Sequence, residues 1–100
     1  MKKIKFIDLI NNISNIDEYL VIYIPKDSSC ELDDDCLLMY YDDKKNKHYT
    51  QYKYFCGVNI IISIISNLSQ QNNSYTKQDL IKAIKYYYEN DAFIDISNSL

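Results

Sequence analysis

Two short apolar runs, residues 19–24 (YLVIYI) and 36–41 (CLLMYY), stand on either side of a connection dominated by turn-forming and acidic residues. Every position of the first run is apolar. A strand buried on both faces needs that pattern, because alternate side chains point to opposite faces and both must meet apolar neighbours. Tyr, Val, Ile and Leu also suit an extended backbone. Pro25 lacks a backbone donor and ends the first run. The two runs are therefore expected to be neighbouring antiparallel strands, with residues 26–35 connecting them.

Charge is segregated around this pair. Residues 17–43 hold nine of the fourteen acidic residues and one lysine, Lys26, for a formal charge of −8, although the whole chain carries only −3. The strand pair is thus expected to present a negative rim. Its candidate interaction residues are Glu31, Asp33, Asp34, Asp35, Asp42 and Asp43. A rigid acidic rim complements a basic surface and raises the rate of encounter with it.

The remaining elements follow from apolar spacing. Phe6, Leu9, Ile10 and Ile13 recur at the interval of one helical face. Residues 54–58 form a short strand around Gly57. Residues 59–71 read as a helix with Asn59 as N-cap, because Ile60, Ile61, Ile64, Ile65 and Leu68 keep helical spacing despite their β-branched content. Thr76 and Asp79 make a capping-box start for a helix through about Glu89, with Leu80, Ile84, Tyr87 and Tyr88 as its apolar stripe. Asn90 and Asp91 break it, and Ala92, Phe93 and Ile94 return to the core. The expected fold is α+β: a single domain, residues 1–100, with a small antiparallel sheet and helices packed on one face. The expected core includes Ile10, Leu20, Ile22, Leu38, Ile61, Ile65, Leu80 and Ile84.

Composition excludes several classes. A hydrophobic content of 47% with 25% charged residues belongs to a packed chain. A single glycine and a single proline exclude collagen-like and linker-like sequences. Three cysteines, Cys30, Cys36 and Cys56, cannot all pair within one chain, so free thiols and a cytoplasmic location are expected. The first apolar run is broken by Lys5 and Asp8, unlike a signal peptide, and no stretch nears the ~20 apolar residues of a spanning helix.

No catalytic or cofactor site is expected. Cys30, Cys36, Cys56 and His48 would suffice by number for zinc, but they lack the closely spaced pairs of zinc sites, so no metal is assigned. His48 lies in a lysine-flanked polar loop with nothing to orient it, which fits a solvated loop residue. Asp33–Asp35 with Asp42 and Asp43 would suit Mg²⁺ in a small nucleotide-handling enzyme, yet neither a Gly-rich phosphate loop nor an arginine accompanies them. Lys44, Lys45, Lys47 and Lys53 with Tyr49, Tyr52 and Tyr54 make a modest basic and aromatic patch. An acidic chain of pI near 4.9 nevertheless repels nucleic acid, so no nucleic-acid partner is assigned. Tyr86, Tyr87 and Tyr88 are spread around a helix at about 100° per residue, so they cannot all be buried. Exposed tyrosine is common where proteins meet, and Tyr86 joins the candidate contact residues.

The segments YLVIYIPKD, ELDDDCLLMYYDD and KYYYENDAF, at residues 19–27, 31–43 and 85–93, resemble a family of small bacterial proteins. Its members pair a Tyr-x-Pro-Lys-Asp strand with a second strand ending in acids, and close with a Tyr-Tyr-x-Glu-Asn-Asp-Ala motif. The family is similar to immunity proteins of contact-dependent growth inhibition and related polymorphic toxin systems. The resemblance implies a non-enzymatic cytoplasmic protein that binds and neutralises a cognate toxin C-terminal domain, expected to be a nuclease. It also adds Asp91, within the closing motif, to the candidate contacts. The alternatives are an acidic interaction domain of unknown role and, third, a small Mg²⁺-dependent nucleotide-handling enzyme.

Overall fold

The computed structural model describes residues 2–28, 31–40 and 51–95. The elements are β1 (Lys2–Lys5), α1 (Phe6–Asn11), a 3₁₀ turn (Ile13–Asn15), β2 (Val21–Pro25), β3 (Asp35–Met39), β4 (Tyr52–Gly57), α2 (Val58–Gln71) and α3 (Lys77–Asn90). The chain is α+β with a small antiparallel sheet, as expected, and it divides into two compact units between Asn59 and Ile60.

The first unit holds the sheet, in the order β1-β3-β2-β4 with every pairing antiparallel. The two apolar runs form the central pair, with Val21 opposite Met39 and Ile22 opposite Leu38. Ile22, Tyr23 and Ile24 of β2 and Cys36, Leu37, Leu38 and Met39 of β3 are all buried. That is the placement a two-sided apolar run requires. Tyr23, Leu37 and Met39 cluster on one face, with Val21 and Tyr52 packed against them. A bulge in β4 between the partners of Ile22 and Tyr23 shifts the register by one residue. Tyr54 then stands edge-on to Tyr23, with ring centroids 5.8 Å apart. Phe6 at the start of α1 meets Phe55 in the same edge-to-face manner at 6.1 Å.

Several expectations are corrected here. The strands are shorter at their outer ends than the apolar runs: Tyr19 and Tyr40 lie outside β2 and β3 and are exposed, at 76% and 50%. Leu20, expected in the core, is half-buried, because its segment is turning before β2, with the Leu20 N–H bonded to the Asp17 carbonyl. The edge strand β1 was not expected at all. Lys2, Lys3, Ile4 and Lys5 have too little apolar content to read as a strand, and they become one only by pairing with β3. The helix expected through Ile13 stops at Asn11, followed by the 3₁₀ turn.

The second unit carries most of α2, all of α3 and the segment that follows. Ile61, Ile64 and Leu68 form the buried stripe of α2. Ile65 is half-buried where burial was expected, because one turn of helix rotates it off the line through Ile61, Ile64 and Leu68. The helix starts at Val58, one residue before the expected cap Asn59. On α3, Leu80, Ile81, Ala83 and Ile84 are buried, and the Thr76–Asp79 capping box forms in both directions. The return after α3 is partial. Tyr87 and Phe93 rings lie 5.3 Å apart and the Ile94 carbonyl accepts from Gln71 Nε2 at 2.8 Å, but Ala92 and Phe93 remain exposed.

Candidate functional site

Antiparallel pairing divides the acidic stretch. Residues that precede β2 lie at the same end of the pair as Tyr40, which follows β3, and residues 26–28 and 31–34 lie at the other end. Strands of this length hold the two ends roughly 14 Å apart, at about 3.4 Å per residue. One continuous acidic segment in the sequence thus becomes two separate acidic ends.

At the connection end, part of the expected rim takes part in holding the fold. The Asp34 carboxylate turns inward and accepts from Ser28 Oγ and, at 2.8 Å, from the Glu31 N–H, while the Asp34 N–H bonds back to the Glu31 carbonyl. Carbonyls of this connection accept the first N–H groups of α1, Phe6 to Asp34 and Ile7 to Leu32, both at 2.8 Å. Asp35 sits at the start of β3 between Lys3 and Lys5. Asp34 and Asp35 are therefore half-buried and not simple exposed rim acids, because the turn occupies one and β1 brings lysines to the other. Lys5 also reaches the Asp33 carbonyl at 3.4 Å. Glu31 and Asp33 have exposed side chains, and the Asp33 carboxylate makes no hydrogen bond or ion pair among the described residues.

At the other end, three residues that sequence reasoning missed come together. Asp17 accepts from Tyr40 Oη at 2.7 Å on one carboxylate oxygen and from the Tyr19 N–H at 2.9 Å on the other. The Tyr40 hydroxyl first, and the Tyr19 N–H second, hold the Asp17 carboxyl below the ordinary aspartate range. Glu18 beside it is exposed. The missed signal was the apolar character of Tyr19 and Tyr40, which read as strand interior although both are exposed beyond the strand ends. Asp42 and Asp43 lie outside the described residues, as do His48, Cys30 and the Lys44–Lys47 part of the basic patch.

The remaining candidates belong to the second unit. Tyr86, 38% exposed, lines a shallow groove of about 580 Å³ along α3 with Gln78, Lys82, Lys85 and Glu89. Tyr88 is exposed and Tyr87 half-buried, the spread expected of three consecutive helical residues. Asp91 closes α3 in the left-handed region, at φ 53° and ψ 36°. Its N–H bonds to the Tyr87 carbonyl at 2.7 Å. This conformation terminates the helix, and the Asp91 side chain is exposed.

Cys36 is a buried free thiol whose Sγ donates to the Ile4 carbonyl at 3.2 Å, and Cys56 is a half-buried free thiol. Among the described residues no group of three or more His, Cys, Asp and Glu side chains is placed to hold a metal ion. No helix among them is long and apolar enough to cross a membrane. What the described surface offers chemically is carboxylates, lysines and tyrosine rings for contact. Residues 3–96 match a domain of unknown function, DUF7716. No curated protein and no solved structure matches the chain.

Proposed function

The chain belongs to the DUF7716 family, and we propose that it is an immunity protein, which binds a cognate bacterial toxin domain in the cytoplasm and blocks its active site. The observation that carries this reading is the pair of exposed acidic ends on one hydrogen-bonded strand pair, Asp17 and Glu18 with two exposed tyrosines at one, Glu31 and Asp33 at the other. A nuclease handles a polyanion and presents a basic cleft, to which such carboxylates are complementary. Tyrosines add large, rigid contact area at low entropic cost. Inhibition by occlusion requires no catalytic residue, cofactor or metal from the inhibitor.

The test is to read the genes flanking this one for a toxin C-terminal domain and to co-express that domain with the protein; the absence of such a gene counts against the reading. The protein is expected to restore growth and to co-purify with the toxin. Stopped-flow association at low and high salt then examines the charges: Glu31→Gln with Asp33→Asn slows association and flattens its salt dependence, leaving dissociation less changed. Failure to restore growth with a folded, expressed protein overturns the reading.

A second reading is an acidic interaction domain without a toxin partner. The engagement of Asp34 within its turn and of Asp35 by Lys3 and Lys5 favours it, since those acids then serve the fold. The association experiment with other binding partners separates the two.

A further inference from the structure

We propose that the Asp17–Tyr40 pair, flanked by Tyr19, is a preformed receptor for an arginine side chain on the surface of a protein partner. The inference rests on the binding role proposed above and assigns it a location that the charge pattern of the sequence did not indicate.

Three observations converge on this end of the strand pair. The carboxylate of Asp17 is held by a donor on each oxygen, Tyr40 Oη at 2.7 Å and the Tyr19 N–H at 2.9 Å. A carboxylate has about four acceptor positions, so two stay open to an incoming donor pair. The Tyr40 ring is half-exposed yet anchored through its hydroxyl, so its ordering cost is already met in the free protein. Tyr19 is the most exposed large apolar side chain among those described, at 76%.

The chemistry that fits a fixed carboxylate with two exposed tyrosines next to it is a planar cation. A guanidinium donates two parallel N–H bonds to a carboxylate and stacks flat on an aromatic face, whereas an ammonium is a strongly hydrated point charge that does neither. The ionised state of Asp17 is secured by the same two donors, so the site is anionic at neutral pH. Glu18 adds to the local negative field. The site therefore selects arginine over lysine, and a partner's basic cleft edge is the surface that supplies it.

The experiment is a titration of the ¹⁵N-labelled full chain with hexa-arginine and, separately, hexa-lysine peptide at physiological salt. Saturable shifts centred on Tyr19 and Tyr40 are expected with hexa-arginine, and weaker ones with hexa-lysine. Asp17→Asn is expected to weaken the arginine peptide about fivefold, from the loss of one exposed ion pair and its share of ring contact. Asp27→Asn, an exposed acid at the other end of the strand pair, is expected to leave it unchanged. Tyr19→Ala tests the flanking ring without touching the Asp17–Tyr40 bond, and unchanged amide shifts at Ile22 and Leu38 confirm that each variant is folded. Equal weakening by Asp27→Asn, or equal response to the two peptides, overturns the receptor and leaves only diffuse charge attraction. Loss of growth restoration by the wild type overturns the immunity reading while leaving the peptide result standing, so the two fail separately.

Discussion

Lys5 lies directly across the β1–β3 pair from Asp35, with Nζ 3.8 Å from one carboxylate oxygen, and Lys3 reaches the other oxygen at the same distance. The most basic strand of the chain is thereby laid against the end of its most acidic stretch. The consequence is that three consecutive aspartates, alike in sequence, have three different physical roles.

Those roles separate under substitution. Asp34→Ala removes an acceptor used by both Ser28 and the Glu31 N–H, and is expected to cost about 1–2 kcal/mol. Asp33→Asn is expected to stay within about 0.5 kcal/mol. Asp35→Asn loses two exposed ion pairs, at most about 1 kcal/mol, and less at high salt. Urea unfolding with an unchanged m-value checks all three. Equal costs for Asp33 and Asp34 would contradict the assigned hydrogen bonds.

The titration of Asp17 depends on Tyr40. Its folded-state pKa is depressed, so its contribution to stability is present above the unfolded-state value and is lost as pH falls through the folded one. Tyr40→Phe removes the largest cause and is expected to move the Asp17 carboxyl upward toward the ordinary aspartate value. Side-chain carboxyl ¹³C shifts followed against pH measure this directly.

Asp91 provides a conformational test. Its backbone is held at φ 53°. A residue with a Cβ is strained there in proportion to its bulk, and aspartate tolerates the region better than most. Asp91→Gly is expected to leave stability equal or raised by up to about 1 kcal/mol, and Asp91→Val to lower it by about 1 kcal/mol or more. Thermal unfolding of the two variants gives the sign. If both lower stability alike, the side chain rather than the backbone holds this helix end.

The capping box at the other end of α3 is also open to test. Thr76 accepts from the Asp79 N–H at 3.1 Å and its own N–H donates to Asp79 at 2.9 Å. Thr76→Ala is expected to cost about 1 kcal/mol, and Asp79→Ala much less once Thr76 is gone, because the two bonds are reciprocal. A double-mutant cycle in urea reads the coupling.

Local interactions explain how much was legible in the sequence. Ile22, Leu38, Ile61, Leu80 and Ile84 are buried because apolar periodicity is a property of neighbouring residues, and so is the Thr76–Asp79 cap. The pairing of residues 19–24 with 36–41 was legible for the same reason: two-sided apolar runs have to be covered on both faces. Lys2–Lys5 carries no such pattern, and only the open edge of β3 makes it a strand. That one non-local pairing supplies the lysines beside Asp35 and draws the first turn of α1 onto the acidic connection. The meeting of Asp17 with Tyr40 is equally remote in sequence, because antiparallel register sets the residues before one strand beside those after the next. Burial followed from the order of residues along the chain. The distribution of charge in space did not, since electrostatic neighbours are chosen by which strands pair, and pairing is decided only when the whole sheet forms.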